Sequence, residues 1–341
     1  MNIKITSKLR YLIEFCFFGA LAGMIYQLLR EDFIDFMAII MGSSLLFGFW
    51  VLEFFILSGL KKHFLKLPLL FSVLIKSIIY FLIINLFSGI VGLIVGLSKG
   101  LQMQDFYESI LSLDQLILNI YTLAVYVLVS FYLQINLLLG EGVLLKFLLG
   151  KYRKPTTEYR IFMFLDLKSS TTLAEKLGLK KYYELLNDFF HEISDPVRDT
   201  NAEVYQYVGD EVVFTWKTNE GLTNTNCLKI FFQIQEKIFK NREYYQNKYG
   251  VIPSFKAGLH FGRVISAQIG DIKREIVYNG DVLNTSARIQ EQCNKVNREL
   301  LISGILLKQL HLDNDYQSEK MDTVTLRGKE SAIELFSMTE F

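Results

Sequence analysis

Up to about residue 150 the chain runs in long apolar stretches; beyond that point apolar and polar positions alternate at helix and strand periods. A membrane-crossing helix needs about 20 predominantly apolar residues. Four stretches meet that length, residues 11–29, 36–57, 69–95 and 116–139. After residue 158 the pattern is that of a folded domain. Residues 159–166 read as a buried strand. Ser169 to Thr172 offer N-cap hydroxyls to a helix starting near Leu173, and a second helix covers 180–197. Residues 202–208 and 212–216 form a hairpin around Gly209-Asp210-Glu211. A long helix spans 224–246, strands cover 254–261 and 263–269 around Gly262, a helix covers 284–295, and strands cover 299–303 and 331–337. Strand-helix-strand-strand-helix-strand order predicts an α+β sandwich of the ferredoxin-like kind.

Charge orients the apolar half. Lys and Arg gather on the cytoplasmic side of a membrane. Lys4, Lys8 and Arg10 precede the first stretch, Lys61, Lys62 and Lys66 follow the second, and Lys146, Lys151, Arg153 and Lys154 follow the fourth. The other loops carry Glu31, Asp32 and Asp35, then Asp105, Glu108 and Asp114. Four transmembrane helices with both termini inside satisfy this asymmetry. The expectation is a multi-pass protein of the inner or plasma membrane, its N-terminus and its second half cytoplasmic. The basic, then apolar, N-terminus reads as a retained first helix and not as a cleaved signal peptide. Glu14, Glu53 and Lys76 interrupt apolar stretches; they are read as snorkelling side chains or a structural pair, with sensing as the alternative. The domains are then 1–139 membrane, 140–157 an amphipathic linker or tether closed by Pro155, and 158–341 cytosolic.

Composition adds little beyond this split. Of 341 residues, 51% are hydrophobic and the net charge is +1, so no nucleic-acid partner is expected. Cys16, Cys227 and Cys293 lack metal-ligand spacing and read as free thiols.

The chemistry lies in two aspartates. Asp166 ends the first cytosolic strand and Asp210 sits in the hairpin turn, and the fold makes those two places neighbours. Two adjacent carboxylates repel unless a cation lies between them, and Mg²⁺ is held typically by one or two carboxylates plus phosphate oxygens. The helix start at Ser169, Ser170 and Thr171 offers N–H groups to a phosphate. Downstream, Asn284 and Arg288 are four apart on a helix and share a face. Arg327-Gly328-Lys329 adds two basic groups.

These strings resemble the class III nucleotidyl cyclases, the adenylate and guanylate cyclase family. Phe164-x-Asp166-Leu167-x-x-Ser170-Thr171 is similar to the first metal motif and Gly209-Asp210 to the second. His260-Phe261-Gly262 falls between these and the Asn-Arg stretch Gly280–Arg288. The resemblance spans about residues 158–337. It implies a homodimer with shared active sites, each binding two Mg²⁺ or Mn²⁺ ions through Asp166, Leu167 and Asp210 of one chain. Asn284 and Arg288 would come from the partner, and Arg327 or Lys329 would hold the triphosphate. The implied activity is conversion of ATP to 3′,5′-cyclic AMP and pyrophosphate. The alternatives are a guanylate cyclase of the same mechanism or a nucleotide-binding pseudocyclase receptor; a transporter with a regulatory cyclase-like domain is a further, weaker reading. Gln206 and Val277 stand where many adenylate cyclases carry a base-reading Lys and an Asp or Thr. That departure leaves ATP or GTP open, with ATP preferred because adenylate cyclases dominate the bacterial members.

Overall fold

The computed structural model describes residues 3–30, 35–60, 64, 67–98, 112–140, 143–312, 315–321 and 332–341. The chain divides into two compact units between Leu144 and Leu145.

The apolar unit is helical. Its first helix is Ile3–Arg30 and its second Phe36–Val51, capped by the Asp35 carboxylate on the Met37 N–H. The second helix continues through a π-helical turn, Leu52–Ile56, into a 3₁₀ turn, Leu57–Leu60. The third helix is Leu69–Ser98, and the fourth is Leu113–Leu139, capped by Ser112 on the Gln115 N–H. Among the described residues three stretches are long and apolar enough to cross a membrane: Tyr11–Arg30, Phe36–Ile56 and Leu113–Leu139. Leu69–Ile83 forms a shorter apolar stretch. Where the first two helices cross, a Cβ on Gly42 would lie 2.1 Å from the Gly19 carbonyl oxygen; only glycine lets the backbones meet so closely. Phe15, Phe49, Tyr80 and Tyr126 fill the centre, with Phe49 4.3 Å from the Tyr80 ring and 5.6 Å from the Tyr126 ring. Glu53 and Lys76 do not snorkel. They meet at 2.6 Å inside the unit, and Glu14 accepts a hydrogen bond from the Tyr132 hydroxyl at 3.0 Å.

The second unit begins at Leu145, within the linker helix Val143–Leu148. It is built on a mixed sheet of eight strands among the described residues: β1 (Thr156–Leu167), β2 (Glu203–Val208), β3 (Glu211–Lys217), β4 (Phe255–Ile269), β5 (Glu275–Asn279), β6 (Leu300–Ser303), β7 (Tyr316–Lys320) and β8 (Leu335–Glu340). The order is β2-β3-β1-β4-β6-β8-β7, with β5 on β4. The subset β2-β3-β1-β4 is antiparallel and carries the expected ferredoxin-like connectivity. The β4–β6 pair is parallel.

Alternation along β1 sorts its side chains. Ile161, Met163, Leu165 and Leu167 enter the main core, under Leu185, Phe189, Ile230, Phe231 and Ile234 of the covering helices. Arg160, Phe162, Phe164 and Asp166 take the opposite face. There the helix Asp281–Val296 packs, its Ser286 hydroxyl donating to the Phe162 carbonyl at 3.3 Å.

Several local expectations are corrected. Gly262 does not separate two strands, because β4 runs unbroken through it; a Cβ there would lie 2.6 Å from Val282 Cγ2, so the glycine makes room for the helix and not for a turn. The helix expected over 180–197 is two, Leu179–Glu192 and Ser194–Asp199. That expected over 224–246 divides at Asn241 into Asn226–Lys240 and Arg242–Tyr249. Ser169 adopts a left-handed φ of 56° and makes no side-chain cap. β5 and β7 lie outside the expected strands: each is only five residues long, and β7 (Tyr-Gln-Ser-Glu-Lys) is polar beyond Tyr316 and has no apolar alternation.

Candidate active site

The site is assembled at the ends of three elements. β1 pairs with β3 so that Asp166 lies opposite Glu211, and the two-residue turn Gly209-Asp210 closes β2 onto β3. Gly209 takes a φ of 64°, a conformation that costs glycine no Cβ clash. This turn sets Asp210 beside Asp166. The Asp210 Oδ2 atom is buried with no hydrogen-bond partner among the described residues. Burial and the neighbouring Asp210 push the Asp166 carboxyl above the ordinary aspartate range, against the pull of Lys256. Glu211 is pushed up to about 7 by burial, then by the charges of Asp166 and Asp210. Three acidic groups therefore crowd one small region.

Two partners steady Asp166 from within its own chain. Gln290 Nε2 donates to Asp166 Oδ2 at 3.0 Å, and Lys256 Nζ lies 3.4 Å from the same oxygen. Both side chains are buried, Gln290 at 5% exposure and Lys256 at 8%. Tyr182 stands nearby: burial, then the charge of Asp210, raises its hydroxyl, while Ser170 hydrogen-bonds it. The sequence reading missed all three. Gln290 follows Asn284 and Arg288 on the same helix, and Lys256 faces Asp166 in the β1–β4 register, so their signal was positional and legible only with the topology in hand.

A divalent cation fits this place. The test is the buried carboxylate oxygen of Asp210, without a hydrogen-bond partner among the described residues, beside a second carboxylate: water-poor carboxylate pairs are stable when a cation separates them. Among the described residues no group of three or more His, Cys, Asp or Glu is gathered for a metal. Two carboxylates alone form an open donor set, of the kind Mg²⁺ completes with phosphate oxygens and water. The Leu167 side chain is 2% exposed in the core, so only its main chain is available to the site.

Residues 153–339 match the family model of the adenylate and guanylate cyclase catalytic domain. The chain belongs to this family. It is a nucleotidyl cyclase. It is 34% identical over 262 residues to adenylate cyclase 2 of Rhizobium meliloti (strain 1021), a match covering 76% of this chain and 71% of that protein. That stretch is longer than the second unit, so the likeness enters the apolar half. Adenylate cyclase 1 of the same organism is 20% identical over 184 residues, 52% of this chain and 27% of its own length. Among solved structures, the adenylyl cyclase CyaB from P. aeruginosa aligns over 55% of this chain and 97% of its own, with 14% identity and a TM-score of 0.49.

In this cyclase domain the other expected residues are dispersed. Asn284 is exposed and Arg288 half-buried on the helix Asp281–Val296, and neither forms a hydrogen bond or ion pair among the described residues. On that helix Ser286, Gln290 and Cys293 face inward, so the Asn-Arg pair lies on a different side from Gln290 and Asp166. Gln206 is exposed on β2, opposite Val213, and Val277 pairs with Ala267 on β5. Their neighbours Tyr205 and Tyr278 touch at 5.2 Å between ring centroids, which links the two strands. His260 is buried and shares a 2.7 Å hydrogen bond with the Ser303 hydroxyl. Arg327 and Lys329 lie outside the described residues.

Proposed function

We propose that this protein is a membrane-anchored adenylate cyclase that converts ATP to 3′,5′-cyclic AMP and pyrophosphate at sites shared between two identical chains. The observation that carries this reading is the Asp166–Asp210 pair, with its unpartnered buried oxygen, at the junction of a strand end and a hairpin turn. Two Mg²⁺ or Mn²⁺ ions bound there would lower the pKa of the ribose 3′-hydroxyl and neutralise the leaving phosphates. Asp166 and Asp210 hold that charge in place. Ser169, Ser170 and Thr171, at the start of a helix, direct N–H groups towards a phosphate. Gln290 and Lys256 keep Asp166 in one orientation.

Asn284 and Arg288, turned away from their own chain's carboxylates, suit a role in a partner's site. There Arg288 stabilises charge on the phosphate undergoing attack, and Asn284 orients the ribose. In-line placement of the 3′-hydroxyl on the α-phosphorus supplies much of the acceleration. ATP is preferred to GTP because the 34%-identical relative is an adenylate cyclase, while Gln206 and Val277 contribute no charged base reader. Four membrane helices, the third being Leu69–Ser98, would place both termini and residues 158–341 in the cytoplasm, with residues 140–157 as the connection.

Purified full-length protein with Mn²⁺ should form cyclic AMP from ATP, and Asp210→Ala should abolish the product. Cyclic GMP from GTP instead would overturn the base choice alone. No cyclic product from either nucleotide would refute the enzymatic reading. Mixing Asp210→Ala with Arg288→Ala should restore activity to mixed dimers; failure to complement would exclude shared sites.

A further inference from the structure

The membrane half contains a polar site that the cyclase chemistry does not use. Glu53 takes Lys76 Nζ on one carboxylate oxygen at 2.6 Å and the Tyr80 hydroxyl on the other. Lys76 is 9% exposed and Tyr80 fully buried. Glu53 lies in the π-helical turn Leu52–Ile56, and such turns concentrate at functional sites. Against this pair lies a cavity of about 40 Å³, lined on its other side by Ser130, Leu133 and Gln134 of the fourth helix. Ser130 is 3% exposed, and its hydroxyl has no hydrogen-bond partner among the described residues. The Ser72 and Ser77 hydroxyls on the Lys76 helix, and that of Tyr126 on the Ser130 helix, are likewise buried without hydrogen-bond partners among the described residues. An ammonium has three donors; Glu53 takes one, and the ammonium lies 5.1 Å from the Phe64 ring centroid.

We propose that this cavity is a binding site for a small neutral hydrogen-bonding guest, and that its resident guest is a cluster of ordered water joining the Ser130 helix to the Glu53–Lys76 pair. Three considerations select that class. Glu53 and Lys76 cancel in charge, so an added ion would stand uncompensated in the bundle. A buried water takes roughly 10–15 Å³ of such space, so the cavity of about 40 Å³ holds about three or four. Water donates to Glu53 while accepting from Lys76 and Ser130, which no apolar guest does. Apolar cavities stay dry; polar ones with several partners fill.

The inference rests on the reading of this half as membrane-embedded, and the test separates the two. Full-length protein in lipid nanodiscs is exposed to radiolytically generated hydroxyl radical, which labels side chains beside bound water. Leu133 should label several-fold faster than the buried Phe49 and faster than the outward-facing Leu86 and Leu128. Ser130→Leu, which fills the cavity, should reduce Leu133 labelling to the Phe49 level. Ser130→Ala, which keeps the space, should retain it and shows that the bundle tolerates change there. Leu133 labelling no faster than Phe49 in the wild type would overturn the site. Rapid labelling of Leu86 and Leu128 as well would refute the membrane reading and, with it, the site.

Discussion

Gly258→Ala is the sharpest test of how the site is held. Gly258 lies on β4 beneath the helix Asp281–Val296. A Cβ there would meet the Gln290 amide nitrogen at 2.2 Å, Gln290 Cα at 2.7 Å and the Ser286 carbonyl oxygen at 2.7 Å. All three are backbone atoms, so no side chain can rotate away. Relief requires the helix to retreat by about 1 Å, since close-packed interiors transmit such strain. The 3.0 Å contact from Gln290 to Asp166 would then stretch to about 4 Å, beyond hydrogen-bonding range. Overpacking of this kind costs about 1–3 kcal/mol, each worth about 2–4 °C in Tm for a domain of this size. The catalytic cost is of similar size, because a misplacement of about 1 Å reduces rate by about 10²-fold, or about 2.7 kcal/mol. Cyclic AMP formation at saturating Mn²⁺, with thermal unfolding of the same protein, measures both. Gly262→Ala is the control: its Cβ meets the Val282 side chain alone at under 3 Å, and that side chain can turn, so its loss should be smaller. Wild-type kcat and Tm in Gly258→Ala would refute the claim that β4 and this helix jointly position Asp166.

Gln290→Leu keeps volume but removes the donor to Asp166; the Mn²⁺ concentration for half-maximal activity should rise about 10–100-fold, with Mn²⁺ binding followed by electron paramagnetic resonance weakened in parallel. Arg160 is buried at 1% exposure between Glu203 at 2.9 Å and the Tyr278 ring at 4.5 Å. Arg160→Met should destabilise the protein in urea by about 2–3 kcal/mol, less than a wholly buried pair, because Glu203 keeps 32% of its side-chain surface in water. Burial alone would raise the Asp188 carboxyl, but hydrogen bonds from Lys248, Tyr244 and Tyr249 outweigh it and hold the group below its ordinary 3.8. A depressed carboxyl contributes stability that is complete above the unfolded value and lost as pH falls through the folded one. The Tm gap between wild type and Asp188→Asn should therefore be full at pH 7 and close below about pH 4; a gap independent of pH would refute the assignment.

The sequence by itself determined the division into an apolar half and a patterned half, because transfer free energy depends on composition over a window of about 20 residues and needs no tertiary partner. It also determined the β-α-β-β-α-β order and the pair Asp166 and Asp210, since turn chemistry at Gly209-Asp210 and strand alternation are local. Only the tertiary structure decided which groups answer those carboxylates. Gln290 and Lys256 are 124 and 90 positions from Asp166 in the chain, and no local pattern marks a buried Gln or Lys as the partner of a distant Asp. The same holds for Gly262, whose role depends on Val282 of a packed helix, and for Glu53 and Lys76, where the choice between snorkelling and a structural pair was decided by their meeting across two helices at 2.6 Å. Spacing along a chain reports periodicity; partnership between distant polar groups is set by packing, which brings them together at the cost of burying them and so requires that each find its complement.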